Sequence, residues 1–386
     1  MMAGMVHAFC AGLAVVLVLL TAPLLMELAL LSIAALRFER GARRVVTRNE
    51  LQLVVVVPAH NEERMIARAV ASLLASSGGI ECVRVCVIAH NCTDGTAENA
   101  RAAGAEVREL DTPEARGKGA ALAFAFASIA ADAFLIVDAD SIVDGGLVGA
   151  VKSALADCEI LQCRYEALPV GGAKNKLAAI AFRAINVVRA RGRTQLGLSC
   201  GVLGNGFALL KSLLERVPYD AHSVVEDLEF HLMLVRAGVR VKYLDEVMVR
   251  GEVLGTRSQH ARWEGGRLLM AQRWLGRLVA GVLTGRWRLA EPALDVAALP
   301  MAQGAGLLFL ALIMPVTWLK LYALVGMWVM LLYVMTAVAA GDDFWGEVRA
   351  LLLAPVYVVR KVGVLASIFR SSRKDADWVR TSRDGE

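Results

Sequence analysis

Residues 8–26 carry no charged side chain, and beyond Glu27 the apolar run continues to Leu36. This stretch exceeds the ~20 residues that a helix needs to cross the hydrocarbon layer of a membrane. A cleaved signal peptide would carry positive charge before its apolar core, whereas here the arginines follow it, between residues 37 and 48. We therefore predict an N-terminal transmembrane helix over 1–36 with its basic flank in the cytoplasm.

A second apolar block covers 296–340 and is interrupted only by Lys320. Its length predicts two transmembrane helices in a hairpin, which returns the chain to the cytoplasm. The segment 267–295 mixes arginines with Trp274 and Trp287, which indicates interfacial amphipathic helices lying along the membrane surface. For 341–386 we expect an interfacial helix and a basic cytoplasmic tail, with a third C-terminal span over 351–369 as the alternative.

The remaining region, 37–266, is the candidate soluble domain. Hydrophobic residues make up 57% of the chain and charged residues 20%, and the mean hydropathy is +0.53. These values exclude a disordered chain, and they show that the chain is more apolar than an ordinary soluble enzyme. Because the excess apolarity lies in the flanking blocks, 37–266 retains the composition of a folded cytoplasmic domain.

Within this domain short β-branched runs alternate with helical patterns. Strands are predicted over 51–57, 83–89, 106–110 and 134–137, and helices over 62–74, 96–103 and 119–130. Runs such as LVVVV lack the alternation of a half-exposed strand, so we expect a parallel sheet covered by helices on both faces. Ligands bind at the carboxyl ends of such strands, and the loops there are rich in polar residues.

Two pairs of carboxylates stand out. Asp138 and Asp140 follow the apolar run FLIV, and carboxylates spaced in this way hold Mg²⁺ or Mn²⁺ beside phosphate oxygens. Alternatively, one of them caps the next helix and the other is simply exposed. Glu226 and Asp227 begin a predicted helix, where a carboxylate in a partly dry cleft can act as a general base. The helix dipole alone would also favour acidic residues there.

Downstream, Gln259, Arg262 and Trp263 form a Q-x-x-R-W pattern. Arginine offers a planar fork for phosphate oxygens and tryptophan a flat wall for a sugar ring. An interfacial Arg/Trp anchor explains the same residues.

The motifs PAHNE (58–62), CTDGT (92–96), RGKGAAL (116–122), DAD (138–140), VEDLE (225–229) and QHARW (259–263) occur in this order. Together they resemble membrane-bound family 2 glycosyltransferases of the GT-A fold, in the branch of cellulose, chitin and hyaluronan synthases and related bacterial exopolysaccharide or glycolipid enzymes. The expected fold class is thus an α/β, Rossmann-like GT-A domain plus one N-terminal and two C-terminal transmembrane helices. The resemblance covers about 51–274.

The resemblance implies a role for each matching residue. Asp227, with Glu226 beside it, would be the catalytic base, and Asp140 with Asp138 would hold the metal, Mg²⁺ or Mn²⁺. The implied donor-binding residues are Pro58, Ala59, Asn61, Glu62, Asn91, Asp94, Lys118, Asp138, Gln259, Arg262 and Trp263. The implied acceptor or lid residues are Gly204, Asn205, Gly206, Trp378, Arg380, Thr381 and Arg383. The last four form a W-x-R-T-x-R tail, which could equally lie on anionic lipid.

The implied reaction is inverting transfer of a sugar from a nucleotide-diphosphate sugar, UDP-linked first among them, to a lipid-linked or saccharide acceptor. The expected setting is the cytoplasmic face of the bacterial inner membrane, with membrane lipids and no nucleic acid as partners. A processive polysaccharide synthase is the alternative, although no FxVTxK-type segment is present. The alternatives of another class are a nucleotidyltransferase, which would have no need of the Q-x-x-R-W motif or a Glu-Asp base, and a non-enzymatic membrane scaffold. The scaffold is disfavoured because the candidate catalytic carboxylates are all present.

Overall fold

The computed structural model of the chain describes residues 2–39, 50–115, 117–168, 172–221, 223–252 and 257–355. Within these ranges, the side chains of 2–9 and 257–264 lie outside the description. Two compact units are present. The α/β unit consists of 39, 50–168 and 197–252, and the helical unit consists of 2–38, 172–196 and 257–355.

The strands are β1 (Leu53–Ala59), β2 (Val83–His90), β3 (Glu106–Leu110), β4 (Ala133–Ile136), β5 (Ile142–Val143), β6 (Ile160–Ala167), β7 (Phe207–Leu210) and β8 (Lys242–Gly251). The helices are α1 (Met2–Leu36), α2 (Ile66–Ser77), α3 (Thr96–Ala102), α4 (Lys118–Ser128), α5 (Leu147–Ala154), α6 (Ala173–Arg183), α7 (Arg189–Gln195), α8 (Lys211–Arg216), α9 (Glu226–Arg236), α10 (Arg257–Leu283), α11 (Ala290–Ala297), α12 (Met301–Ile313), α13 (Thr317–Ala339) and α14 (Phe344–Ala350).

The α/β unit contains an eight-stranded sheet in the order β3-β2-β1-β4-β7-β6-β8-β5. The first four strands in this order are mutually parallel, and all seven elements predicted between 51 and 137 are present with shifts of a few residues at their ends. The sheet is nevertheless mixed, because β7 pairs antiparallel with both β4 and β6. The expectation of a wholly parallel sheet therefore holds only for its N-terminal half.

Burial explains why these segments form this sheet. From Leu53 to Val57 every side chain of β1 is buried, since β2 and β4 flank it and helices cover both faces. In α2, Ile66, Val70 and Leu73 recur at helical spacing and are fully buried in the same core. The carboxyl ends of the parallel strands are thereby held at one edge.

The helical unit contains two helices long and apolar enough to cross a membrane, Cys10–Leu36 and Thr317–Ala339. The predicted N-terminal span agrees with the first. The predicted C-terminal hairpin is only partly reproduced, because α12 has 13 residues and is shorter than a membrane-spanning helix. Within the described residues, a third span is present only if Trp287–Ala297 and Met301–Ile313, which are bent by 75°, count as one.

The chain leaves the sheet between β6 and β7 to add α6, a π-helical turn (Ala184–Val188) and α7 to the helical unit. This excursion was not anticipated from the sequence. Its arginines Arg183, Arg189 and Arg193 are each less than 9% exposed. Charged side chains at that degree of burial require partners, since an unpaired buried charge is strongly unfavourable.

Those partners are carboxylates on other helices of the same unit. Arg189 bonds to Glu27 and, at 2.8 Å, to Asp295, while Arg193 bonds to Glu291 and Asp295 at 2.6 Å each. The three carboxylates lie within 4.8 Å of one another, a spacing that would also suit a metal ion. Because guanidinium groups already bond to all three, we interpret the cluster as an ion-pair network that joins α1, α7 and α11.

Replacing Arg189 by methionine tests this network. We expect Arg189→Met to destabilise the helical unit by about 3–5 kcal/mol, because Glu27 and Asp295 lose a buried counter-charge. The measurement is the thermal unfolding midpoint of the protein in detergent. The control is Arg216→Met, which removes a bidentate pair to Glu159 on the solvent-exposed surface and should leave the midpoint almost unchanged. Equal midpoints for the two variants would contradict the network's role.

Candidate active site

The site lies at the carboxyl ends of β1, β2 and β4, which are adjacent and parallel. The DAD motif follows β4 after Val137, and a short two-residue strand, β5, begins just beyond it. The backbone N–H of Asp138 donates to Asn205 Oδ1 at 3.1 Å. The Asn205 side chain also donates through Nδ2 to Ser141 Oγ at 2.8 Å, and the Ser141 N–H donates to the Asp138 carbonyl. Asn205 therefore braces the acidic loop.

Lys118, the first residue of α4, links this loop to the loop that contains Gly204. Its ammonium group donates to Asp138 Oδ1 and, at 2.7 Å, to the carbonyl oxygen of Gly204. Gly204 in turn lies against Asp227: a Cβ placed on this glycine would be 3.1 Å from Asp227 Oδ2. Three motifs far apart in sequence thus meet around one ammonium group.

Glu226 and Asp227 begin α9, and Asp227 Oδ1 accepts a hydrogen bond from the N–H of Leu228 at 2.8 Å. Both carboxylates line a small hollow whose other walls are mainly apolar. Its lining residues are Lys118, Leu122, Val202, Gly204, Phe207, Tyr219, Glu226, Asp227 and Phe230. The Glu-Asp pair therefore stands in the partly dry setting that a general base requires.

Burial sets the protonation chemistry of this hollow. It raises the pKa of Glu226 to about 7, with the neighbouring Asp227 acting in the same direction and Lys118 opposing it. It also raises the pKa of Asp227, against the Leu228 N–H and Lys118, which lower it. Burial lowers the pKa of Lys118, but Asp138, Glu226 and Asp227 outweigh burial, so that its net pKa is raised. Lys118 is consequently a firmly held cation among carboxylates.

The glycine after Lys118 explains how α4 and α9 come together. A Cβ on Gly119 would lie 2.8 Å from the carbonyl oxygen of Ala221, in the loop that leads into α9. No larger side chain fits between helix and loop at this distance. The RGKG motif is thus partly a packing requirement for the Glu-Asp pair.

The predicted donor-binding residues at the ends of β1 and β2 also lie together. Asn61 Oδ1 accepts from the N–H of Thr93 at 2.7 Å, and the N–H of Glu62 donates to Thr96 Oγ1 at 2.7 Å. Asp94 accepts from the N–H of Thr96, two residues on, as aspartate commonly does in a turn. Pro58 and Ala59 end β1 beside this loop.

Asn91 follows β2 and bonds to the loop after β3. Its Oδ1 accepts from the N–H of Thr112 at 2.7 Å, and its Nδ2 donates to the Thr112 carbonyl at 3.1 Å. The amide therefore fixes the loop after β3. His90, which precedes it, is 4% exposed, and burial lowers its pKa. A neutral imidazole and an engaged amide thus occupy this part of the predicted nucleotide site.

Several other predicted site residues are not among the described residues that line this hollow. Gln259, Arg262 and Trp263 lie on α10 in the helical unit, and their side chains fall outside the described residues. Trp378, Arg380, Thr381 and Arg383 fall outside it entirely, as does the segment 356–369. Gly206 closes the loop before β7, where a Cβ would be 2.8 Å from Val249 Cγ2.

Two residues were missed in the sequence. Tyr219 lines the hollow and stacks edge-on against Phe230, but it lies in an irregular loop that shows no periodicity. Ser141 directly follows DAD, and a hydroxyl next to a predicted metal-binding pair was a usable signal. Tyr219 lines the hollow together with Asp227, and Ser141 lies beside Asp140.

The donor set of the acidic loop fits a divalent cation. Asp138 and Asp140 are both partly exposed and offer carboxylate oxygens two residues apart, which is the ligand type preferred by Mg²⁺ and Mn²⁺. The Asn205 and Ser141 hydrogen bonds hold the loop in place around them. We therefore expect the cation site at this loop rather than at the arginine-bound carboxylates of the helical unit.

A pair of glycines tests the contact with Asp227. Gly204 (φ +80°) and Gly238 (φ +81°) share a left-handed backbone, but nothing lies within 4 Å of a Cβ on Gly238. We expect alanine at either site to cost about 1–2 kcal/mol through backbone strain. Only Gly204→Ala should also reduce turnover, by roughly tenfold or more, because it displaces Asp227. Unfolding and steady-state kinetics measure the two effects, and equal turnover in both variants would refute the contact's importance.

Sequence comparisons identify known proteins that are similar to this chain. The sequence model of the family described as "Glycosyltransferase like family 2" matches residues 51–274, more than half of the chain. Protein RfbJ of Shigella flexneri is 30% identical over 96 residues, which cover 25% of this chain and 70% of RfbJ.

Solved structures are also similar to this chain, and PcManGT shows the same fold. The mannosyltransferase PcManGT of Pyrobaculum calidifontis, solved with GDP-Man and Mn²⁺, is 17% identical with a TM-score of 0.53, over 94% of this chain and 97% of that one. Glucosyl-3-phosphoglycerate synthase of Mycobacterium tuberculosis, solved with Mn²⁺, UDP and phosphoglyceric acid, is 21% identical with a TM-score of 0.43, over 58% and 81%.

The family match spans the sheet, the DAD loop and the Glu-Asp pair, and the expected GT-A fold is confirmed. The more specific assignment to the cellulose and chitin synthase branch is not established by these matches. The chain belongs to the family 2-like glycosyltransferases and is an enzyme that transfers sugars from nucleotide-sugar donors.

Proposed function

We propose that this enzyme transfers one sugar, with inversion, from a nucleoside-diphosphate sugar to a hydroxyl of a lipid-linked or saccharide acceptor. The observation that carries the proposal is the meeting of Lys118, Asp138 and Asp227 around Gly204. This arrangement places a cationic group suited to phosphate beside a carboxylate suited to deprotonating an alcohol. Both are needed for transfer in a single displacement.

In this mechanism Asp227 is the general base. Its raised pKa makes it a better proton acceptor than an exposed aspartate, because the match to an alcohol's proton improves. Asp227 removes the acceptor proton while the acceptor oxygen attacks the anomeric carbon from the face opposite the diphosphate. Glu226 is half-buried beside it, and no covalent sugar–enzyme intermediate is required.

The donor diphosphate would lie between the DAD loop and α4. Asp138 and Asp140 would hold Mg²⁺ or Mn²⁺ there, and the cation would neutralise charge growing on the leaving phosphate. Lys118 is already oriented toward this position by the Gly204 carbonyl and supplies further positive charge. Electrostatic help of this kind is worth several kcal/mol in a site closed to water.

The setting we propose is the cytoplasmic face of the bacterial inner membrane. Support comes from the two helices long enough to span a membrane and from the arginines that follow the first of them in sequence. A membrane-bound enzyme of this orientation has direct access to acceptors embedded in the inner leaflet. A lipid-linked acceptor therefore fits the chain better than a freely diffusing one.

A donor panel tests the function. Protein purified in detergent is offered UDP- and GDP-linked hexoses and N-acetylhexosamines with Mn²⁺ or Mg²⁺, and release of nucleoside diphosphate is followed with and without a lipid extract. We expect release with one or a few donors, stimulation by the extract, and loss of at least 90% or so of the rate on chelation with EDTA. Release from no donor, or release unaffected by EDTA, would contradict the proposal.

A substitution tests the assigned base. We expect Asp227→Asn to lower transfer by about 10²–10⁴-fold while donor affinity stays within about twofold, because only proton removal is lost. Turnover and calorimetric titration of the donor measure the two quantities. The control is Glu229→Gln on the same helix. The Glu229 side chain accepts from the Ser223 N–H, and we expect the variant enzyme to remain active. If Asp227→Asn lost donor binding and transfer together, Asp227 would have a structural role instead.

A further inference from the structure

Gln162 is a buried polar residue to which no motif assigns a role. It lies in β6 within the apolar sequence ILQC, and its side chain is 0% exposed. A polar group at that depth requires hydrogen-bonding partners, because leaving it unpaired is costly. Its partners reveal what it does.

The Gln162 amide clamps one short loop. Its Oε1 accepts from the N–H of Leu203 at 2.9 Å, and its Nε2 donates to the carbonyl of Asn205 at 2.7 Å. A second bond from Nε2 reaches the carbonyl of Cys163, in its own strand, at 2.9 Å. Gln162 therefore binds the loop on both sides of Gly204 and anchors it to the sheet.

The clamped loop contacts Lys118 and the backbone of Asp138. The Gly204 carbonyl accepts from Lys118, and the Asn205 side chain accepts from the Asp138 N–H at 3.1 Å. Gly204 also limits the space beside Asp227. A shift of this loop would displace the proposed phosphate-binding groups and the proposed base at once.

The loop needs such a clamp because of its backbone. Gly201, Gly204 and Gly206 all have positive φ angles, of 113°, 80° and 73°. Glycine makes these conformations accessible but also leaves the unclamped chain many alternatives. The conformation seen here persists only if surrounding contacts determine it.

We propose that Gln162 is a positioning residue for sugar transfer, which holds Gly204 and Asn205 so that Lys118, Asp138 and Asp227 face one reaction centre. The proposal rests on the roles proposed above for those three residues. It predicts a kinetic defect that loss of a buried hydrogen bond elsewhere would not cause.

The test begins with Gln162→Met, which keeps the length of the side chain and removes its hydrogen bonds. The assay uses the nucleotide sugar turned over fastest in the donor panel, with Mn²⁺. We expect kcat/KM to fall about 10–100-fold, with a higher donor KM and a lower kcat, since both halves of the site are displaced. The matched control is Ser199→Ala, which removes a buried acceptor from the Val241 N–H and should change neither constant.

A double-mutant cycle with Asn205→Ala separates positioning from general destabilisation. If Gln162 acts through Asn205, the combined loss in kcat/KM will be clearly smaller than the product of the two single losses. Gln162→Met combined with Ser199→Ala should give the simple product. Should Gln162→Met fail to fold, Gln162→Asn, which retains the amide but is too short to reach both sides of Gly204, enters the same cycle.

Two results would overturn the proposal: multiplicative losses in the Asn205 cycle, or a lowered unfolding midpoint with unchanged kcat and KM. Failure of the proposed function gives a different pattern. In that case Asp227→Asn would retain transfer, whereas the coupling between Gln162 and Asn205 would still be measurable in whatever reaction the donor panel detects.

Discussion

The ammonium group of Lys118 keeps together carboxylates that would otherwise repel one another. Asp138 comes from the loop after β4, whereas Glu226 and Asp227 come from the start of α9, and all three affect the pKa of Lys118. Two like charges 4 Å apart repel by about 4 kcal/mol at an effective dielectric constant of 20. Without the lysine, repulsion among these carboxylates would oppose the packing that brings the DAD loop and the start of α9 together. Its bond to the Gly204 carbonyl also fixes where the positive charge lies.

Much of the α/β unit follows from local sequence pattern. Strand β3 has the same bounds in prediction and structure, because EVREL is flanked by clear breaks, and DAD could be placed after β4 because FLIV is uniformly apolar. The mixed sheet could not be foreseen in this way. Strand direction at β7 depends on where the chain returns after α7, which is a tertiary property that no four-residue apolar run encodes.

Side-chain roles were less predictable than positions. The family resemblance implies an acceptor-site role for Asn205 and a nucleotide-site role for Asn91, but it does not reveal that both amides brace loops. An asparagine after a strand has the same appearance in sequence whether its amide faces a ligand or the backbone. Likewise, the arginines of α6 and α7 look like solvent-exposed residues until their carboxylate partners, distant in sequence, are known.

The excursion between β6 and β7 has a consequence for how this enzyme can be divided. Because α6 and α7 lie between two strands of one sheet but belong to the other unit, no single cut separates catalytic and helical parts. A shortened protein spanning 50–252 would retain Arg183, Arg189 and Arg193 without the carboxylates that neutralise them. Such a fragment would carry a cationic helix with no folded counterpart. Soluble expression of the sheet alone thus calls for replacing 172–196 by a short linker.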